Sequence, residues 1–271
     1  MQTFHCTTTG WAQRGSNING SSSGAFCGWA VALNDAGNIL AVGYRGEGAV
    51  RIFQYSGGAW SQLGNTLTQV TDYDKFGSSV SLNAAGTIVA IGATSQGAWG
   101  SWKKPGLVQV FEYSGGTWTQ RGSDIEGTND WDEFGGSVEL NAAGDIVVIG
   151  ATEGGSGSTA PEDTGRAEVF QYSGGTWTQI GSNIDGQADG DYFGKTVSIN
   201  GVGDRVAIGA PYFSGAGSDG RSIGHVQIFQ NSVGAWSQLG SDITGVAMHD
   251  QCGTTLSLNN CLLYTSDAAD E

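Results

Sequence analysis

The chain has 271 residues, among them 47 Gly, 9 Trp, 8 Tyr and 10 Phe, against only 3 Pro and 11 Lys plus Arg. That glycine share is more than twice the usual ~7% but has no Gly-X-Y period, which excludes collagen; the aromatic content excludes a disordered chain. With 26 acids and a formal charge of −15, neither nucleic acid nor membrane insertion is expected, and the longest apolar runs, such as 146–149, fall far short of a membrane span.

Internal repetition organises what remains. Trp11, Trp60, Trp118, Trp177 and Trp236 are spaced by 49, 58, 59 and 59 residues. Cys27-Gly28, Phe76-Gly77, Phe134-Gly135, Phe193-Gly194 and Cys252-Gly253 keep the same spacings. Two independent markers in one register define a repeating unit. The boundaries are set at about 1–20 (partial), 21–68, 69–126, 127–185, 186–243 and 244–260 (partial).

In chain order, each unit predicts four strands. The first begins at the Phe-Gly marker, as over 76–83 and 134–141, and ends in a tight Asn-x-x-Gly turn. The second is an almost wholly apolar run, as over 87–92 or 205–209. The third carries the Val-Phe-x-Tyr pattern, as over 108–113 and 167–172, and a Ser-Gly-Gly-Thr hairpin leads into the fourth at Trp118 or Trp177. No ten-residue window has a 3.6 period, so essentially no helix is expected. Inner strands apolar on both faces point to an all-β protein of β-propeller-type blades, each with four antiparallel strands: about four complete blades plus partial terminal ones. The repeated Trp is then expected to fill the gap between blades.

The 49-residue unit differs from the others in one place. From the Gly that ends strand two to the Phe of strand three, the chain runs Gly43 to Phe53, Gly92 to Phe111, Gly150 to Phe170 and Gly209 to Phe229. The first of these connections is about half as long as the others. Surface loops absorb such deletions and cores do not, so the sequence marks its own variable face.

The string Asp-x-Phe-Gly-x-Ser-Val-x-Leu-Asn, followed by Val-Ala-Ile-Gly-Ala, resembles the FG-GAP repeat of integrin α N-terminal propellers and secreted microbial proteins. Phe76-Gly77, Phe134-Gly135 and Phe193-Gly194 carry the first half, and 208–211, 91–93 and 149–151 carry the second. The resemblance implies a propeller at the cell surface or outside the cell. Calcium-binding members carry an Asp-rich loop between the first two strands. Here that place holds Asn34-Asp-Ala-Gly37, Asn83-Ala-Ala-Gly86, Asn141-Ala-Ala-Gly144 and Asn200-Gly-Val-Gly203, too poor in carboxylates for a cage. No cofactor is expected beyond weak Ca2+ binding elsewhere.

The fifth unit breaks after Asn260. Residues 261–271 match no repeat and resemble a translated sequencing adapter, and the start falls within a unit. The expectation is a fragment whose missing blades belong to a parent chain.

The loops joining strands two and three and the loops joining successive blades share one face, where acids collect. The Asp-x-Asp pairs Asp72 and Asp74, Asp130 and Asp132, and Asp189 and Asp191 are candidate cation-binding residues. The plainer and favoured reading is that they accept backbone N–H groups in turns. Trp99, Trp102, Lys103, Lys104, Tyr212 and Phe213 lie in loops outside the repeat pattern. They are candidate ligand-binding residues for a protein or glycan, or they fold back over their own blades.

His5, His225 and His249 fall in different units, no metal-ligand or nucleophile motif occurs, and no acid is read as breaking the repeat, so no catalytic residue is assigned. Cys27 and Cys252 replace the Phe of the marker and are expected to be small buried hydrophobes. The leading expectation is a non-enzymatic adhesion or recognition module. The alternative is a hydrolase or lyase acting on polysaccharide, with active residues partly in missing blades.

Overall fold

The computed structural model describes residues 1–8, 10–68, 75–94, 105–128, 132–152, 164–188, 190–214 and 222–259. Four sheets follow one another, preceded by a hairpin of Phe4–Thr7 and Gly10–Gln13. The first blade orders Cys27–Leu33, Ile39–Tyr44, Ala49–Ser56 and Ala59–Gln62 from inside to outside. The second uses Phe76–Leu82, Ile88–Ala93, Leu107–Ser114 and Thr117–Gln120. The third uses Ser137–Leu140, Ile146–Ala151, Arg166–Ser173 and Thr176–Gln179; the fourth uses Thr196–Ile199, Arg205–Ala210, His225–Ser232 and Ala235–Gln238. All neighbours within a blade are antiparallel, and inner strands of successive blades pack side by side. These are β-propeller-type blades.

Two details differ from the sequence-based expectation. Each blade has a fifth strand of two residues (Leu67–Thr68, Ile125–Glu126, Ile184–Asp185 and Ile243–Thr244) returning to pair with the start of strand three. Two residues are too few for periodicity to register. In the third and fourth blades the inner strand starts three residues after the Phe of the marker. Phe134 forms a parallel bridge to Gly106 and Phe193 one to Gly165, each in the preceding blade, and both rings are fully buried at the seam. The glycine that follows, with φ of 86° at Gly135, turns the chain into its own blade.

Three repeated contacts join the blades. The second strands are buried, from end to end in Ile39–Tyr44 and Ile88–Ala93 and in all but the first residue of Ile146–Ala151 and Arg205–Ala210, which explains their lack of a polar face. The indole N–H of each repeat Trp after the first donates to a carbonyl of the preceding blade or hairpin: Trp60 to Arg14, Trp118 to Leu63, Trp177 to Arg121 and Trp236 to Ile180, all at 2.8–2.9 Å. The Asn-x-x-Gly turns form a chain of their own, Asp35 N–H to Ala84 O, Ala84 N–H to Ala142 O and Ala142 N–H to Gly201 O. Each turn is closed by its own Asn, whose side-chain oxygen accepts backbone N–H groups four and five residues on. Cys27 and Cys252 are free thiols and half-buried, not fully buried as expected, because a thiol does not reach as far into the seam as a phenyl ring.

Candidate functional site

The loop face is built on one repeated turn. The residue before each Phe-Gly or Cys-Gly marker has a left-handed backbone: Phe26 (φ 47°), Lys75 (49°), Glu133 (48°), Tyr192 (54°) and Gln251 (47°). Its carbonyl accepts the N–H three residues on, from Trp29, Ser78, Gly136, Lys195 and Thr254 respectively. Such a conformation costs a non-glycine residue roughly 1–2 kcal/mol, and the marker glycine and the closing hydrogen bond hold it in place. Every blade thus presents one unlike side chain from an identical backbone. The sequence signal was available: this position varies while its neighbours repeat.

In the first blade Phe26 and Trp29 meet edge to face at 6.1 Å, and the Arg45 guanidinium lies 4.2 Å from the Trp29 ring centroid. Arg45 belongs to the short connection between strands two and three, a 3-10 turn over Arg45–Glu47. Glu47 turns away to Arg51 (2.6 Å) and Ser21 (2.5 Å), and the Ser21 hydroxyl, seconded by Arg51, holds its carboxyl below the ordinary range. Arg51 also lies 4.2 Å over Tyr44, whose phenol burial pushes up to about 12.

The third blade carries the buried charges. Arg166, at the start of strand three, donates to Asp132 at 2.5 Å, to Glu168 at 2.7 Å and to Thr128 at 3.2 Å. Burial works against its charge, but Asp132 and Glu168 more than offset this and raise its pKa. The same strand position is Leu107 in the second blade and His225 in the fourth. Glu133 lies 3.3 Å from the Thr152 hydroxyl.

Glu139, on the inner strand, corrects the expectation that no acid breaks the repeat, since serine occupies its place at Ser81, Ser198 and Ser257. Ser81 Oγ accepts Leu140 N–H, and Ser198 Oγ accepts Leu258 N–H. Glu139 accepts Ile199 N–H at 2.7 Å in the same way, with a longer arm and beside the Ser198 hydroxyl. Burial raises its pKa, and the two hydrogen bonds temper the rise.

The predicted site residues divide sharply. Trp99, Trp102, Lys103, Lys104, Asp72, Asp74, Asp130 and Asp189 lie outside the described residues. Asp132 is buried against Arg166, and Asp191 is buried as well. Their counterpart Asp250 accepts the N–H groups of Val246 and Ala247, the turn role favoured from the sequence. Among the described residues no group of three or more His, Cys, Asp or Glu side chains is placed to hold a metal. Tyr212 is exposed and its ring lies 5.0 Å from that of Tyr192. Phe213 folds back to stack on the buried His225, 4.1 Å between ring centroids. His225 in turn lies 3.3 Å from Asp242.

No protein-family model matches the chain, and no curated protein matches it in sequence. Solved structures match it in fold. A "putative 6-phosphogluconolactonase" from Bacteroides uniformis superposes with a TM-score of 0.58 at 11% identity, over 91% of this chain and 65% of that one. A second from Bacteroides fragilis gives 0.56 at 12%, over 92% and 65%. Kuenenia stuttgartiensis hydrazine synthase gives 0.50 at 11%, over 85% and 52%. The chain therefore spans about two thirds or less of these proteins, and identities this low show the fold alone. The expectation of a non-enzymatic adhesion module is corrected here. The three structures named above bear enzyme names, two of them of 6-phosphogluconolactonases, and the alternative of a hydrolase agrees with them better.

Proposed function

We propose that the chain is part of a propeller hydrolase acting on a sugar-derived substrate, with a lactone as the first substrate to try. The observation that carries this reading is Glu139. A carboxyl whose pKa is raised by burial suits proton transfer, and this one stands where the first blade has Ala32 and the second and fourth have Ser81 and Ser198. In lactone hydrolysis the Glu139 carboxylate would take a proton from the attacking water as its oxygen bonds to the carbonyl carbon. The same proton then passes to the ring oxygen as the acyl–oxygen bond breaks. We further read the repeat as one of FG-GAP type. Support comes from the marker glycine lying against the glycine that ends strand two of the preceding blade, as Gly135 does at Gly92 and Gly194 at Gly150.

The test is turnover of a panel of aldonolactones and neutral and acidic polysaccharides by the full chain, Glu139→Gln, and Glu112→Gln as a surface control. The expected result is a loss of about a hundredfold or more in kcat for Glu139→Gln alone, with an unchanged melting transition. No turnover of any panel member, or equal turnover by Glu139→Gln, would overturn the reading.

A further inference from the structure

We propose that Phe26, Trp29, Arg45 and Lys75 form a subsite for a sugar unit bearing a carboxylate or phosphate, a proposal that rests on the hydrolase reading and names its substrate class. Three independent observations converge on this corner of the loop face.

The first is access. Phe26 is 58% and Trp29 52% exposed, although both are large apolar side chains. The connection carrying Arg45 is the short one, a 3-10 turn of three residues. In the fourth blade, by contrast, the longer connection returns Phe213 onto His225.

The second is charge. Arg45 is stacked on Trp29 and its buried Nε has no hydrogen-bond partner among the described residues. The acid two positions on, Glu47, is committed to Arg51 and Ser21. Lys75 is exposed at the matching turn of the next blade and forms no ion pair among the described residues. The Arg45–Glu47 turn packs against the inner strand that Lys75 precedes. On a chain of net charge −15, two cations that form no ion pair among the described residues favour an anion.

The third is shape chemistry. Exposed aromatic faces take up the C–H face of a sugar ring, and a guanidinium pre-oriented by stacking presents its fork to a carboxylate or phosphate. A neutral sugar would satisfy the rings and leave both cations unpaired. Inorganic phosphate would satisfy the cations and leave the rings bare.

Calorimetric titration of the full chain with glucose 6-phosphate, glucuronate, glucose and inorganic phosphate tests the proposal. Expected are binding of an anionic sugar, at least about tenfold weaker binding of glucose and of phosphate, and about tenfold losses in Trp29→Ala and Arg45→Met. Arg45→Lys, which keeps the charge but not the fork, should fall between, and added salt should weaken binding. Circular dichroism establishes that each variant is folded. Glucose binding as tightly as the anionic sugars, phosphate alone binding as tightly, variants matching the wild type, or no binding at millimolar concentration would each overturn the subsite. Glu139→Gln separates the two readings. If it binds like the wild type while the chain turns nothing over, the hydrolase reading fails and the subsite stands; turnover without anionic-sugar binding fails the subsite alone.

Discussion

The indole N–H of Trp118 donates to the carbonyl of Leu63 at 2.9 Å, and the edge of the same ring occupies the space a side chain at Gly64 would need. One aromatic residue and one glycine, on different blades, are thus a single fitted contact. It recurs as Trp60 with Gly15 and Trp177 with Gly122.

Replacing Trp118, which is 3% exposed, by Ala should destabilise the protein by about 3–5 kcal/mol. Trp118→Phe keeps most of the packing and should cost about 1–2 kcal/mol for the lost hydrogen bond. Trp11, 75% exposed, should tolerate Ala within about 0.5 kcal/mol. Urea unfolding of the three variants checks the order.

Gly64 and Gly57 both have positive φ, 74° and 60°. A β-carbon at Gly57 meets nothing within 4 Å, whereas at Gly64 it would lie 2.8 Å from Trp118 Cδ1. Gly57→Ala should therefore show only the left-handed backbone strain, about 1–2 kcal/mol, and Gly64→Ala clearly more. Equal midpoints in denaturant would contradict the fitted contact.

Arg166→Leu should cost about 3–5 kcal/mol, because it leaves Asp132 and Glu168 buried without their counter-charge. The second blade places Leu107 and Gln109 at the corresponding strand positions. The combined variant Asp132→Asn, Arg166→Leu, Glu168→Gln should accordingly recover much of the loss in the same unfolding assay.

Burial lowers the pKa of His225 below its ordinary 6.5, and Asp242 offsets this only in part. The unfolded chain then binds a proton more readily than the folded one. Stability attributable to His225 is complete above pH 6.5 and falls as pH drops through the window between the two values. Calorimetric scans across that range should show a smaller decline for His225→Gln than for the wild type. Parallel curves would show that the imidazole does not contribute.

The blades were legible in the sequence because their contacts are periodic. Trp, Phe-Gly and the strand-two glycine each meet a neighbour one unit away, so packing writes the same residue at every repeat. The charged groups were harder to read, since their partners lie outside that periodicity. Arg166 meets Asp132 across a loop, and Glu139 stands in a place where serine makes the same hydrogen bond, so its substitution looked conservative in pattern. The split between Tyr212 and Phe213 was invisible because adjacent loop aromatics carry no periodic signal saying which one turns inward onto His225.

The left-handed turn ahead of each marker is imposed by its neighbours, not by the residue that occupies it. Phenylalanine, lysine, glutamate, tyrosine and glutamine all accept the same backbone there. The structural demand on those five codons is therefore nearly silent about side-chain chemistry. A single base change can re-address one blade's contribution to the face while the seams, the glycines and the closing hydrogen bonds stay as they are. Selection for a new ligand and selection for a stable fold act on different letters of the same repeat.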